Sequence, residues 1–155
     1  LNGMENDKYT FKRLGGIPFK EVLEEILLVY KAIFYDYKLD FFKNRVHQQK
    51  DLIMVLCYQQ NQLAGFKIGY RYNDTVFYSW VGGVLSEHRN KGIAKHLAQL
   101  QEQKVKEIGY QKIRTKSMNR FKPMMILNLK NGFEIISMYT NKIGQTKIVF
   151  EKDIS

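Results

Sequence analysis

The sequence predicts a mixed α/β domain, and three observations carry that prediction. Three strand-like runs follow one another through the middle of the chain, one long amphipathic helix comes after them, and helix and strand patterns alternate on both sides. Residues 9–14 alternate apolar and polar side chains like a strand with one buried face. Gly15-Gly16 with Pro18 then turn the chain into a helix over 19–30. Residues 34–47 are rich in aromatics and contain a second, shorter helix beginning near Asp40. The runs 52–59, 63–72 and 76–85 are separated by Gln60-Asn61 and Asn73-Asp74, which read as tight turns of an antiparallel meander. Ile93, Leu97, Leu100, Val105 and Ile108 approach helical spacing, so one helix is expected over 90–108, stopped by Gly109. Residues 112–118 read as a strand and 122–130 as a short helix with Pro123 in its first turn, while 133–139 and 146–151 read as a closing hairpin.

A chain of 155 residues, 45% of them apolar, suits one domain around one core. No repeat, low-complexity tract or Pro/Gly/Ser-rich linker divides it. Leu1-Asn2-Gly3 before Met4 is expected to be an expression remnant, which puts the domain at 4–155. No apolar run approaches the roughly 20 residues that span a bilayer, and a basic region followed by an apolar one is missing from the N-terminus. The expectation is a cytoplasmic protein without membrane attachment. Cys57, the only cysteine, excludes an internal disulfide and a multi-cysteine zinc site, and its apolar run reads as a home for an inert thiol. His47, His88 and His96 lack ligand spacing with acidic partners, so no metal is expected. The net charge of +10 favours a polyanionic partner: nucleic acid, acidic membrane or a phosphorylated cofactor. Because the basic residues are scattered and form no arginine-rich arm, nucleic acid is not the expected partner.

Residues 81–97 carry the most chemistry, as a strand, a short turn and a helix start. Gly82 and Gly83 inside a strand weaken it unless they permit a bulge or the close approach of a ligand or another backbone. The first amides of the following helix lack intrahelical partners and sit at the positive end of its dipole, an arrangement suited to an anion. Gly92 and Ala94 leave that approach open, and Arg89, Lys91 and Lys95 surround it with charge. Lys91 precedes Gly92 where a Walker loop would place its lysine after the glycines, and no G-x-G-x-x-G follows a strand, so nucleoside triphosphate and dinucleotide sites are not indicated.

Arg89-Asn90-Lys91-Gly92-Ile93-Ala94 resembles the R/Q-x-x-G-x-G/A signature of the GNAT superfamily of acyl-CoA N-acyltransferases. Asn128-Leu129-Lys130-Asn131-Gly132-Phe133 is similar to that family's N-x-x-x-G-F close. The resemblance implies a central twisted, mostly antiparallel sheet flanked by helices and splayed between its fourth and fifth strands, with the pantetheine arm of acetyl-CoA in the gap. It further implies that main-chain groups of Val84 and Leu85 bond the pantetheine, and that amides of Arg89, Asn90, Lys91, Gly92, Ile93, Ala94 and Lys95 hold the pyrophosphate. Asn119 and Asn128 match positions that contact the cofactor, with capping or turn roles as their alternative. A homodimer is common in the family.

Two departures weigh on the chemistry. Asn128 stands where many relatives carry a tyrosine that protonates the leaving thiolate, and the fourth strand holds Tyr78 and Ser79 in place of a carboxylate base. No catalytic residue is identified; Tyr78, Glu87 and Asn128 are the candidates, and Glu87 reads foremost as a solvated loop carboxylate. The expected reaction is direct attack of a neutral primary amine on the thioester of acetyl-CoA, with a main-chain donor near Val84 or Leu85 for the oxyanion. The acceptor is a small molecule, peptide or protein amine. Phe34, Tyr35, Tyr37, Phe41 and Phe42 are read as acceptor-pocket walls or as core. Two alternatives are a coenzyme-binding module that has lost catalysis and a basic nucleic-acid-associated protein.

Overall fold

A computed structural model describes residues 8–155, so the expected remnant at 1–3 and the domain start at Met4 lie outside the described residues. The elements run β1 (Tyr9–Gly15), α1 (Lys20–Ile33), α2 (Leu39–Gln48), β2 (Ile53–Gln59), β3 (Gln62–Arg71), β4 (Val76–Val84), α3 (Ile93–Glu107), β5 (Lys112–Met118), α4 (Lys122–Lys130), β6 (Glu134–Thr140) and β7 (Thr146–Asp153). A 3₁₀ turn, Ser86–His88, leads out of β4. The strands form one seven-stranded sheet in the order β1-β2-β3-β4-β5-β7-β6. Every neighbouring pair is antiparallel except β4 and β5.

Strand alternation divides the core between the two faces of this sheet. Met54 and Leu56 of β2 and Phe66 and Ile68 of β3 meet Leu23, Ile26 and Leu27 of α1 and Phe42 and Val46 of α2. Val55 and Cys57 turn the other way, toward Ile93 and Leu97 of α3. With both faces covered, β2 reads as a nearly continuous apolar run, and each fully buried Leu, Ile or Phe contributes roughly 1.5–3 kcal/mol. Lower on the α3 face, Phe77, Val105, Tyr110 and Ile113 form a second cluster. Phe77 thus lies on the face opposite Tyr78 and Trp80, which pack with α1 and α2.

Two details differ from the sequence reading. The Gln60-Asn61 turn is tight as expected, with φ of 51° and 64° at its two residues. The β3–β4 connection is longer: Tyr72 N and Asn73 N both donate to Val76 O, and the Asn73 side chain accepts from Thr75 N and Val76 N. Helix α3 begins at Ile93, three residues later than Asn90, because Asn90 (φ 62°) and Gly92 (φ 80°) are left-handed and cannot join a right-handed helix.

Pairing between β4 and β5 covers only Val76↔Lys112, Phe77↔Ile113 and Tyr78↔Arg114. The Thr115 hydroxyl then donates to Ser79 O at 3.1 Å, and beyond it the strands separate. On the other side of β4, the register with β3 slips where Ile68↔Val81 gives way to Gly69↔Ser79, a bulge that turns the late half of β4. A mostly antiparallel sheet that opens between its fourth and fifth strands is the architecture the resemblance implies.

Candidate active site

The open edge of β4 follows from its hydrogen-bond parity. Leu85 N donates to Ala64 O at 2.9 Å, so Leu85 and, two residues back, Gly83 turn their polar groups toward β3. Gly82 and Val84 belong to the alternate set and turn theirs toward the gap that β5 has left. Leu85 is engaged at both ends, because its carbonyl accepts from His88 N at 2.9 Å. Val84 and Gly82 are the residues of this stretch whose main-chain groups face the gap. Val84 O accepts Arg89 Nε at 3.1 Å, which carries the guanidinium to the mouth of the gap. The two strand glycines also have a packing reason. A Cβ on Gly83 would come within 2.8 Å of Ile33 Cδ1, and one on Gly82 within 2.9 Å of Phe66 O and 3.2 Å of Lys67 Cγ.

The loop after β4 wraps into an exposed cradle. Arg89, Asn90, Lys91 and Gly92 are exposed, Ile93 is core, and Ala94 and Lys95 are exposed on the first turn of α3. Helix α3 has no side-chain N-cap, so its first amides point outward, and a Cβ on Gly92 would meet open space. Strand β1 braces this cradle from below. The Tyr9 hydroxyl and His88 Nδ1 are 2.6 Å apart, Lys91 Nζ lies 5.7 Å from the Tyr9 ring centre, and His96 packs edge-on against Phe11.

Polar side chains without partners gather on the α3 face and around the gap. Gln101 Nε2 of α3 and Ser117 Oγ of β5 are buried without a hydrogen bond, as is His96 Nδ1. Asn128 is a buried polar residue on α4, and its side chain makes no hydrogen bond among the described residues. Native interiors rarely leave fully buried groups such as Gln101 Nε2 and Ser117 Oγ unsatisfied, which leaves them open to a water or a polar ligand. Lys67 of β3 pairs in register with Val55 on one side and Gly82 on the other, has no ion pair among the described residues, and burial lowers its pKa to about 8. Asn119 is exposed just past β5, lining an open cavity of about 260 Å³ with Met118, Arg120, Gln145 and Thr146. A larger open cavity of about 350 Å³, bounded by Asp51, Arg71, Asp74 and Tyr110, lies at the opposite end of β4.

On the α1–α2 face the gap is floored by aromatic rings. Phe42 is core, its ring tilted against Trp80 with centroids 4.8 Å apart, whereas Tyr35 and Phe41 are exposed. Arg45 sits 5.1 Å over Trp80, and Lys116 lies between the rings of Tyr78 and Tyr139 at 5.6 and 5.2 Å. Burial, reinforced by Tyr70 and only partly offset by Arg45, raises the Tyr78 pKa, so the phenol stays protonated and is no base. Glu87 is fully exposed on the 3₁₀ turn; backbone and Ser86 hydrogen bonds lower its pKa and weaken it as a base. Burial pushes the Cys57 thiol up to about 12, as its apolar run predicts. Among the described residues, no three His, Cys, Asp or Glu side chains group as metal ligands, and no helix is long and apolar enough to cross a membrane.

Tyr9, Gln101 and Lys67 are not singled out by any local sequence pattern around residues 81–97. Tyr9 is 79 residues from His88, and no local pattern links them. Lys67 did leave a signal: it is a lone charge inside the apolar run Leu63-Ala64-Gly65-Phe66-Lys67-Ile68.

The protein is an α/β fold whose sheet opens between two of its own strands, β4 and β5. The family model of the acetyltransferase (GNAT) family matches residues 19–125, and the chain belongs to that family. Its fold is similar to that of the ribosomal-protein-S18-alanine N-acetyltransferase from Escherichia coli, with a TM-score of 0.79 and 14% identity over 95% of this chain and 94% of that one. A GNAT family acetyltransferase from Elizabethkingia anophelis, crystallised with acetyl-CoA bound, aligns with a TM-score of 0.74 and 17% identity over 95% and 99%. Arabidopsis thaliana NAA60 in complex with a bisubstrate analogue aligns with a TM-score of 0.70 and 18% identity over 93% and 98%. Comparison by sequence with curated proteins finds no match.

Proposed function

We propose that this chain is a cytoplasmic N-acetyltransferase, one domain over 4–155, that moves an acetyl group from acetyl-CoA to a primary amine by direct attack. The observation that carries this reading is the opened β4–β5 edge, which leads straight to an uncapped helix start ringed by Arg89, Lys91 and Lys95. Amides of Asn90 to Lys95 hold the pyrophosphate, and the side chains of Arg89, Lys91 and Lys95 supply full charges. Gly82 and Val84 offer main-chain groups to the pantetheine, Leu85 closes the end of the strand, and Asn119 and Asn128 complete the walls. Acetyl-CoA brings an activated thioester, so no metal and no acyl-enzyme on Cys57 is required.

No base is assigned, since Tyr78 is held protonated and Glu87 is solvated. The acceptor therefore attacks as the neutral amine. That condition favours an α-amino group, with a pKa near 8, over a lysine side chain near 10.4. The acetylated alanine named for the Escherichia coli neighbour is an amine of this kind on a protein. A second reading, a coenzyme-binding module without catalysis, is favoured by Asn128 in place of the tyrosine.

Calorimetry of acetyl-CoA with the parent and with Gly92→Glu tests the coenzyme site, and thiol release across a panel of peptides and small amines tests transfer. Micromolar binding lost in the variant, with thiol released only when an amine is present, supports the enzyme. Binding without thiol release from any amine supports the module. A folded parent that does not bind refutes both.

A further inference from the structure

Resting on the proposed acetyl transfer, we propose that the Lys67 ammonium reaches across Gly82 into the β4–β5 gap and protonates the coenzyme's sulfur as it leaves. Lys67 stands opposite Gly82 in register, and a Cβ at Gly82 would come within 3.2 Å of Lys67 Cγ, so the lysine stem leans over β4 where that strand lacks a side chain. On its other side Val55 is fully buried and blocks the way, and α3 covers the face with Leu97 and Gln101. The open route for the side chain runs over Gly82 to the edge that β5 has left.

On the elements packed around Lys67 the carboxylates are committed, while Lys95, Lys104 and Lys106 of α3 are cations without an ion pair among the described residues. Arg13 of β1 pairs with Glu107 of α3, Glu102 of α3 pairs with Lys152, His96 packs on Phe11, and the Cys57 thiol is buried. β4 and β5 contribute Ser79, Thr115 and Ser117 to this face, with no carboxylate. Burial is the one cause that lowers the lysine's pKa, to about 8, close to the roughly 8.5 of an ordinary thiol. A donor matched to its acceptor in this way is suited to proton transfer near neutral pH. The role is also otherwise vacant, since Asn128 cannot give up a proton.

The atoms balance. The acceptor nitrogen forms the C–N bond with its lone pair, the C–S bond breaks with its electron pair left on sulfur, and a proton passes from Lys67 Nζ to that sulfur. The neutral lysine then recovers a proton from water, which takes one from the new amide nitrogen.

Lys67→Met and Lys67→Arg are compared with the parent in three measurements: coenzyme A binding by calorimetry, the pH profile of kcat, and ionisation of the bound coenzyme A thiol followed by thiolate ultraviolet absorbance. The proposal expects Lys67→Met to bind coenzyme A but to lose kcat by about 100-fold. It also expects the parent's decline of kcat above pH 8 to vanish in this variant and the bound thiol to ionise at higher pH than in the parent. Lys67→Arg keeps the low thiol pKa without restoring kcat, because a guanidinium holds its proton. An unchanged kcat and pH profile in Lys67→Met overturns the proposal, as does an equal thiol pKa in parent and variant or acetylation of Lys67 itself by mass spectrometry. Should Lys67→Met fail to fold, Lys67→Arg and the parent's thiol titration decide alone. A parent that binds coenzyme A yet transfers nothing refutes the transferase reading and this one together, whereas failure in Lys67 alone leaves the transferase standing.

Discussion

The Tyr9 hydroxyl lies 2.6 Å from His88 Nδ1 and ties the first strand of the sheet to the turn that precedes α3. The same ring carries Lys91 Nζ on its face, so one β1 side chain orients two parts of the loop.

Replacing Tyr9 by Phe keeps the ring and removes the bond. The expected loss is about 0.5–1.5 kcal/mol of stability, with acetyl-CoA affinity weaker by about 2- to 5-fold as the loop loosens. Thermal melts and calorimetry measure the two effects; an unchanged affinity would show that the loop holds its shape without β1.

Gly92 is left-handed, with φ of 80°, and its missing Cβ faces open space. Gly92→Ala should therefore cost about 1–2 kcal/mol from backbone strain alone and still bind acetyl-CoA. Gly92→Glu adds a negative charge where the pyrophosphate is expected, and binding should fall by at least about 100-fold, or about 2.7 kcal/mol. Equal binding by the two variants would remove the phosphate from this loop.

Lys67 makes stability depend on pH in a defined direction. Its folded pKa, about 8, is below the ordinary lysine value of 10.5, so between these values the unfolded chain holds more protons. Stability of the coenzyme-free protein should rise with pH through that window, and the full cost of the buried charge applies below pH 8. The shift corresponds to at most about 3–4 kcal/mol. Because the side chain still reaches solvent, about 1–2 kcal/mol is the expected gain for Lys67→Met at pH 7, seen as a Tm higher by about 2–8 °C. A lower Tm at pH 7 would mean that the ammonium has a partner that stabilises it.

Cys57 is fully buried, and its thiol is pushed up to about 12. Thiol reagents should label it only as fast as the protein unfolds, and Cys57→Ala should leave kcat unchanged while losing about 1–2 kcal/mol of stability. Rapid labelling, or a kcat that collapses in the variant, would revive an acyl-enzyme route.

Local patterns carried the sequence reading furthest. Period-2 alternation and Pro123 located β5 and α4 at the observed residues 112–118 and 122–130. The start of α3 was misplaced by three residues because apolar spacing is blind to backbone handedness, and Asn90 and Gly92 reverse it. The glycines of β4 were legible as a close approach. Their neighbours were not: Gly83 makes room for Ile33, 50 residues away, and Gly82 for Lys67.

By itself the sequence determined the order of elements, the covered central strands, and the charged, glycine-opened loop after β4, since each depends on residues within a few positions of one another. The tertiary structure alone decided that Leu85 is spent on Ala64 and His88, that β4 and β5 part after Ser79, that Tyr9 meets His88 and that Lys67 stands opposite Gly82. Strand register is a non-local choice, and it sets which polar groups find partners within the sheet and which are left for a ligand.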